Sequence, residues 1–263
     1  RRSLDGGHTW DKATPLTPHP LSHSAIHAPM IELEDGTLMV PLCGALTSKV
    51  PGFSGTQQHP QCVVRSFDRG LSWGNGSIVA LDPSGRRKYH QASLVPLPND
   101  TILALMHSEE FIKLPDGREA REVNAWLCRS HDLGRTWGEP ESLPFRVTGS
   151  ATSTIRLQDG RLLITWSDRQ QDGPSMRAAV SDDDGHTWSD PEGWSFRDGE
   201  HLPGSNPMLQ AWAHDGSVFG GTYSDIGEPC TVQLPDGRII TVYYWADPDN
   251  TLRYIEAAIF SVD

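Results

Sequence analysis

Val180–Trp188 reads VSDDDGHTW and contains one of four copies of a short pattern, Ser-x-Asp-x-Gly-x-Thr/Ser-Trp, which we call the box. The other copies lie in RSLDGGHTW from Arg2, RSFDRGLSW from Arg65 and RSHDLGRTW from Arg129. The first serines of the four boxes are 63, 64 and 51 residues apart, a spacing that is typical of a repeated structural unit. The boxes therefore predict a fold that is built from repeats.

A second motif alternates with the boxes and predicts β-hairpins. Each copy is an apolar strand, a two-residue Asp-Gly or Asn-Asp turn and a second apolar strand, which is the strongest short-range hairpin signal in a sequence. A weaker copy, QAWAHDGSVFGG, begins at Gln210. The clear copies are MIELEDGTLMVPL from Met30, SLVPLPNDTILAL from Ser93, STIRLQDGRLLIT from Ser153 and CTVQLPDGRIITV from Cys230.

Together the two motifs predict an all-β fold, a β-propeller of four-stranded antiparallel blades, with four or five blades in this sequence. We expect each box to be the turn between the third and fourth strands. Its aspartate would accept backbone N–H bonds, its glycine would take a positive φ, and its tryptophan would pack between blades. The chain begins on a box and ends on the strand-like run YIEAAIFSVD, so we expect its two ends to meet in one blade and close the ring. A propeller that lacks N-terminal sequence is the alternative.

Composition narrows the possible functions. The net charge of −12 argues against nucleic acid as a partner, because phosphates bind to basic surfaces. The sequence shows no run of 18 apolar residues to span a membrane and no visible signal peptide. The four cysteines lack CxxC spacing, so we expect buried thiols and no metal or cofactor, with a Cys43–Cys62 disulfide as the alternative. The acids of Asp182–Asp184 could form a calcium loop, but each other box carries a single acid, which favours a plain turn.

The boxes resemble the Asp-box, or BNR repeat, of the sialidase superfamily. The resemblance covers essentially the whole chain and includes HAPMIELEDGTLMVPL, NAWLCRSHDLGRTW and GEPCTVQLPDGRIITVYYW. It implies a single sialidase-like propeller domain over residues 1–263, with Asp-boxes at 3–10, 66–73, 130–137 and 181–188. The family forms six-bladed propellers, which implies that one or more blades are absent from this sequence or degenerate within it. The resemblance alone favours a secreted or periplasmic location, and the oligomeric state stays open.

Candidate binding residues come from the positions that a propeller brings to its axis, namely the starts of the inner strands and the loops between second and third strands. These positions are rich in acids, histidines and aromatic residues. Such residues suit a sugar, because hydroxyls need paired donors and acceptors and ring faces stack on aromatics. The candidate substrate-binding residues are His27, Tyr89, Gln91, Glu109, Asp168 and Arg169. The same positions also include His107, Glu110, Thr152 and Asp247.

The resemblance suggests three catalytic residues. Glu228 in GEPCTV matches the glutamate of the family's Asn/Gly-Glu-Pro segment, which implies a residue that activates a tyrosine nucleophile. His90 in YHQASLVPLPN stands where many relatives carry glutamate, and Tyr223 in GGTYSD is similar to the family's Tyr-Ser, with Tyr244 as the alternative tyrosine. Sialidases hold the substrate carboxylate with three arginines, and Arg169 is the best candidate for one of them. No FRIP-like segment is present to supply the first arginine.

The sequence thus predicts a sialidase-like exo-acting glycoside hydrolase with a carbohydrate substrate. It would remove a terminal sugar, sialic acid or another acidic or deoxy sugar, after a general acid protonates the leaving oxygen. Glu228 and His90 are the candidates for the acid/base and nucleophile-activating roles. A non-catalytic propeller that binds glycans or a protein is the alternative. A polysaccharide lyase, with histidine and tyrosine as base and acid, is a less favoured third.

Overall fold

A computed structural model gives the fold of the chain, and the elements that it describes are β-strands. In the part of the chain that the structure describes, no helix is long and apolar enough to cross a membrane. The structure describes residues 1–16, 18–46, 58–113, 117, 119–145, 147, 151–169, 174–189, 193–199, 211–212, 218–219, 226–246 and 252–262.

Four antiparallel sheets follow one another along the chain as the four blades of a β-propeller. Blade 1 contains β1 (Leu21–Ala25), β2 (Ile31–Glu32), β3 (Leu38–Leu46), β4 (Gln61–Ser66) and β5 (Gly74–Ala80). Blade 2 contains β6 (Arg87–Pro96), β7 (Ile102–Lys113), β8 (Glu119–Ser130) and β9 (Glu141–Ser142). Blade 3 contains β10 (Ser153–Arg156), β11 (Leu162–Asp168), β12 (Ser175–Ser181) and β13 (Trp194–Asp198). A short hairpin follows, β14 (Ala211–Trp212) and β15 (Val218–Phe219), and blade 4 contains β16 (Gly227–Gln233), β17 (Ile239–Ala246) and β18 (Arg253–Phe260).

The predicted hairpin turns join the two innermost strands of each blade. Between β6 and β7, Asn99 and Asp100 both have positive φ, 59° and 61°, which is the conformation of a two-residue hairpin turn. The turns of the other three blades place Gly36, Gly160 and Gly237 at positive φ after an aspartate. The innermost strand of blade 1 is interrupted, because β1 and β2 both pair with β3 and residues 26–30 separate them.

Each box forms the same hydrogen-bonded turn after the third strand of a blade or, at the N-terminus, ahead of blade 1. In the box of blade 2, Ser130 Oγ accepts a bond from Gly134 N at 2.7 Å, and Thr136 Oγ1 donates to Asp132 Oδ2 at 2.6 Å. The hydroxyl-to-aspartate distance is 2.6 Å in all four boxes. This bond is the largest of several that lower the pKa of each box aspartate to about 2. The predicted hydrogen bonds of the box are thereby confirmed, and three of the four boxes follow a third strand as expected.

The residue before each box glycine also has a positive φ, which the sequence analysis did not predict. In blade 2 this residue is Leu133, with a φ of 58°. A branched side chain in the left-handed region is strained, so the hydrogen bonds of the turn must hold it there. The other occupants are Gly6, Arg69 and Asp184.

An arginine directly before each of the first three boxes ties one box to the next. Its guanidinium donates to a backbone carbonyl in the following box, and Val180 holds the equivalent place before the fourth. The repeated bond sets the boxes in radial order, with the N-terminal box beside that of blade 1. The pairs are Arg2 with Arg69, Arg65 with Gly134 and Arg129 with Asp184.

Neighbouring blades bury their apolar faces against one another. Met39 of blade 1 packs with Met106 of blade 2, and Leu105 of blade 2 packs with Trp166 of blade 3. Leu163 of blade 3 packs with Ile239 of blade 4 in the same way. Large-to-small changes at such buried positions typically cost about 2–5 kcal/mol, so these interfaces fix the radial arrangement.

Two of the four box tryptophans pack between blades as predicted, whereas Trp73 packs against blade 1 itself and Trp10 is exposed. Trp137 packs between blades 1 and 2, where its Nε1 donates to Ser77 Oγ at 3.2 Å, and Trp188 packs at the interface of blades 2 and 3. Trp10, in the N-terminal box, is 58% exposed. Its indole donates instead to Gly7 O at 3.0 Å within its own turn.

The expected buried thiols are confirmed for Cys43, Cys62 and Cys128, whereas Cys230 is exposed. The alternative of a Cys43–Cys62 disulfide is wrong, and so is the expectation that the chain ends meet. Cys43 and Cys62 are free, buried thiols. Leu42 is the residue opposite Cys62, so Cys43 faces the other side of the sheet and cannot reach its supposed partner. The chain ends do not meet in one blade either: among the described residues β18 pairs only with β17, and Ile255 on it is 72% exposed.

Candidate functional site

The inner strands of blades 2, 3 and 4 are linked side by side around the axis. Thr154 N donates to Ser93 Oγ at 3.1 Å and joins β10 to β6. Thr231 N donates to Ser153 Oγ at 3.1 Å and joins β16 to β10. The N-terminal ends of the three strands therefore lie at one end of the propeller, which we call the axial end.

One position recurs near the start of every inner strand, six residues before the leucine that leads into the hairpin turn. In β6 and β16 this residue lies in a β-bulge and has a positive φ, 56° for Gln91 and 51° for Glu228. Strained non-glycine residues in bulged strands cluster at functional sites, where they redirect a side chain. The occupants in blades 1 to 4 are His27, Gln91, Ala151 and Glu228.

Gln91 and Glu228 meet at the axial end. Gln91 Nε2 donates to Glu228 Oε1 at 3.3 Å, although the residues are 137 positions apart and belong to blades that are not neighbours. The occupant of blade 3 between them is Ala151, which is 3% exposed. Because alanine is small, it leaves room for the two longer side chains to approach each other.

Arg169 and Tyr244 form a second pair next to Glu228. Arg169 Nη2 donates to the Tyr244 hydroxyl at 2.6 Å, and its Nε donates to Ile226 O at 2.8 Å. Tyr244 is opposite Gly227 in the strand register, so the pair flanks the β16 bulge. The guanidinium is thus held in a fixed orientation by two bonds.

A row of imidazoles runs from blade 1 to blade 2 at the same end. The ring centroids of His23 and His59 are 6.2 Å apart, those of His59 and His90 are 6.1 Å apart, and those of His90 and His107 are stacked at 5.3 Å. Burial, followed by the neighbouring His107, lowers the pKa of His90 to about 3. The His90 imidazole is therefore uncharged at neutral pH and is a poor general acid there.

Four buried polar atoms at the axial end of blades 2 and 3 have no hydrogen-bond partner within the described residues. Gln91, His107 and Thr152 are 9%, 3% and 3% exposed. Buried polar atoms normally have a partner, so these are places where a water or a ligand group would bind. The atoms are Gln91 Oε1, His90 Nε2, His107 Nδ1 and Thr152 Oγ1.

Two predicted binding residues, Tyr89 and Asp168, are buried. Tyr89 is 4% exposed in the core between blades 1 and 2, edge-on to Trp126, because strand alternation turns it away from the face that carries His90. Asp168 is 2% exposed, and its carboxylate lies 3.5 Å from Arg177 Nε. Neither residue is presented to a ligand in this structure.

The other predicted residues fall into three groups. Glu109 stays at the axial end, with its Oε1 3.9 Å from His107 Nε2, whereas Glu110 forms an ion pair with Arg87. His27 is exposed between β1 and β2, and among the described residues no hydrogen bond or ring contact joins it to Gln91 or Glu228. Tyr223 and Asp247 lie outside the described residues.

The described residues do not form a metal site. Among them, no three His, Cys, Asp or Glu side chains come together in a way that could hold an ion. Asp183 is bonded to Ser181 and Thr187 within its box, while Asp182 and Asp184 are exposed. The geometry of DDDG is that of the other boxes.

Two surface clefts lie away from the axial end. One, of about 310 Å³, lies between the hairpin turns of blades 1 and 2 and is lined by Glu34 and Asn99. The other, of about 540 Å³, lies over the box of blade 2 beside Trp137 and Glu139. Neither cleft contains a residue of the Gln91–Glu228 pair.

The site also contains residues that the sequence analysis missed or ranked low. The six-residue spacing before the hairpin leucine identifies Gln91 and Glu228 as equivalent positions, and it was available from the sequence. His59 in QHPQC carries no such signal, because it reaches the site from the coil before β4. The sequence offers Tyr244 only as the alternative to Tyr223 for the catalytic tyrosine. Its hydrogen bond to Arg169 depends on the pairing of β16 with β17.

Solved structures share this fold at low sequence identity. A protein of unknown function from Dyadobacter fermentans is 20% identical with a TM-score of 0.69, covering 99% of this chain and 63% of its own. The NanB sialidase from Streptococcus pneumoniae is 12% identical with a TM-score of 0.54, covering 91% and 52%. The GH43 BlXynB protein from Bacillus licheniformis is 12% identical with a TM-score of 0.52, covering 93% and 41%. The chain thus spans less than two thirds of the length of each, and these similarities show the fold alone.

A family model gives the relationship more directly. No curated protein sequence matches the chain. The model of the BNR repeat-like domain matches residues 1–225, which include all four boxes and the first three blades. The chain therefore belongs to the BNR repeat-like domain family.

Proposed function

We propose that the chain is a sialidase-like, exo-acting glycoside hydrolase whose active site is the axial cluster of Gln91, Glu228, Arg169 and Tyr244. It would remove a terminal sugar from a glycan, either sialic acid or another acidic or deoxy sugar. The observation that carries the proposal is the hydrogen bond between Gln91 and Glu228. Two strained bulges on blades that are not neighbours bring these side chains together.

Glu228 is the proposed general acid and base. Cleavage of a glycosidic bond needs a proton on the leaving oxygen, and a positioned carboxyl group supplies it in most glycosidases. Gln91 holds Oε1 of this carboxylate from across the axis, which fixes the direction of the group. The low pKa of His90 makes it a poor acid, so we assign it a neutral hydrogen-bonding role.

Tyr244 is the proposed nucleophile, ahead of Tyr223. A tyrosine nucleophile is a recognised exception among glycosidases, most of which use a carboxylate. The Arg169 bond to the Tyr244 hydroxyl favours negative charge on that oxygen. The fold similarity to the NanB sialidase and to a GH43 protein is consistent with this class of reaction, and the identity of the sugar is not fixed by it.

The test is turnover of a panel of 4-methylumbelliferyl glycosides, including a sialoside, by the wild type and by Glu228→Gln. Loss of a positioned acid or base lowers kcat/KM by about 100- to 10,000-fold. Glu34→Gln is the matched control, because Glu34 is exposed at the opposite end of blade 1 and the chemical change is identical. A Glu228→Gln variant that stays folded and keeps wild-type turnover would contradict the assignment.

The same assay separates the alternatives. Glycan binding without turnover of any substrate would favour a non-catalytic binding propeller. An unsaturated product that absorbs in the near ultraviolet would identify a polysaccharide lyase, since hydrolysis leaves no such product.

A further inference from the structure

We propose that the axial end of blades 2 and 3 is a subsite for an uncharged sugar, whose hydroxyls bind Gln91, His90, His107 and Thr152. The inference rests on the proposed function and narrows its substrate class. It selects a neutral sugar, deoxysugars included, over sialic acid and uronates.

The four residues lie together at the axial end of two adjacent blades. His90 and His107 are directly opposite each other on β6 and β7, and their rings are stacked. Gln91 follows His90 in the bulge, and Thr152 follows Ala151, which is the blade 3 equivalent of Gln91. The Ser93–Thr154 bond holds the two inner strands side by side just below them.

The chemistry of the unpaired atoms matches hydroxyl groups. Gln91 uses its NH₂ toward Glu228, so the atom left over is Oε1, which can only accept a hydrogen bond. The Thr152 hydroxyl and the nitrogens of neutral imidazoles can donate or accept. Sugar hydroxyls donate and accept hydrogen bonds, so the hydroxyls of one sugar can pair with all four atoms. A carboxylate only accepts, so a carboxylate placed here would leave Gln91 Oε1 unpaired.

The charges around this subsite also disfavour an anionic sugar. Glu228 lies on one side, and Glu109 lies beside His107 on the other. Two nearby cations are Lys88 and Arg169. Lys88 is opposite Glu109 in the strand register, and Arg169 donates hydrogen bonds to Tyr244 and Ile226. The uncharged His90 adds no positive charge at neutral pH. A carboxylated sugar over blades 2 and 3 would therefore lie between two carboxylates.

The experiment compares matched sugars by calorimetry at pH 7 on the full chain. The probes are the methyl glycosides of glucose, galactose, xylose and fucose, the glucuronide and galacturonide counterparts, and a methyl sialoside. We expect at least one neutral glycoside to bind, with its carboxylated counterpart bound at least ten-fold more weakly. His107→Phe keeps the stacked ring and Thr152→Val keeps the shape, so each should weaken the neutral sugar about five- to ten-fold by removing one hydrogen bond. His186→Phe, at an exposed box histidine, should leave binding unchanged.

The outcomes separate this inference from the proposed function. If carboxylated glycosides bind or are turned over better than neutral ones, the inference is overturned while the hydrolase proposal stands. If a neutral glycoside binds, with the expected losses in the variants, but nothing is turned over, the inference stands and the hydrolase proposal fails. If no glycoside binds, or if His107→Phe and Thr152→Val leave binding unchanged, the buried atoms meet water alone and the inference is wrong.

Discussion

The box serines offer a sharp prediction, because one hydrogen-bond pattern occurs in two different environments. Gly134 N donates to Ser130 Oγ at 2.7 Å in blade 2, and Gly7 N donates to Ser3 Oγ at 2.7 Å in the N-terminal box. Ser130 is 1% exposed, whereas the bond to Ser3 is open to solvent. Substitution by alanine therefore leaves a buried N–H unpaired in one box and an N–H that water can reach in the other.

The difference in burial sets the expected magnitudes. An unsatisfied buried donor costs about 1–3 kcal/mol, and Ser130→Ala also removes the bond from its hydroxyl to Asp132, so we expect a loss of about 2 kcal/mol in the free energy of unfolding. With a urea slope of about 3 kcal/mol/M, the unfolding midpoint falls by about 0.7 M. Ser3→Ala should change the free energy by less than about 0.5 kcal/mol.

Urea unfolding followed by tryptophan fluorescence measures both variants under the same conditions. Equal losses for Ser3→Ala and Ser130→Ala would refute the reasoning, because they would show that the turn's own bonds, and not their burial, decide its contribution. A loss below about 0.5 kcal/mol for Ser130→Ala would refute it as well.

Three further predictions concern other parts of the fold. Gly193→Ala should lower the urea midpoint more than Gly36→Ala, because both have positive φ but a Cβ at Gly193 would lie 2.3 Å from the Trp166 ring, while one at Gly36 meets nothing within 4 Å. Asp132→Asn should destabilise the chain more at pH 6 than at pH 2.5. Folding lowers the pKa of Asp132 from 3.8 to about 2, so the contribution of its carboxylate to stability is complete above about pH 4 and is lost as the pH falls toward 2. Unfolding midpoints at the two pH values measure the difference. Ellman's reagent should titrate one thiol in the native chain, that of the exposed Cys230, and the other three only after unfolding.

The sequence predicted those features that depend on local chemistry. An Asp-Gly turn needs only its own residues to reverse the chain, and the box closes through bonds between residues two to four positions apart. Both motifs could therefore be placed before any coordinates. Their repetition then predicted blades, since a single sheet cannot bury its two apolar faces.

The site was harder to predict, because its geometry depends on small departures from regular strands. The sequence predicts that Tyr89, His90 and Gln91 all face the axis, but alternation sends Tyr89 into the core and the bulge redirects Gln91. The contact of Gln91 with Glu228 spans 137 residues and needs a small side chain at Ala151 on the blade between them. Burial, which makes His90 neutral, is likewise a property of the packed blades and not of the local sequence.

A double-mutant cycle on Gln91 and Glu228 tests most directly that blades which are not neighbours meet at the axis. The free energies of unfolding of the wild type, Gln91→Ala, Glu228→Ala and the double variant give a coupling energy, and Gln91 with Glu34 is the control pair. For a partly buried hydrogen bond to a carboxylate we expect a coupling of about 1 kcal/mol, against less than about 0.3 kcal/mol for the control. Additive effects for Gln91 and Glu228 would show that the two residues do not touch and would contradict the proposed site.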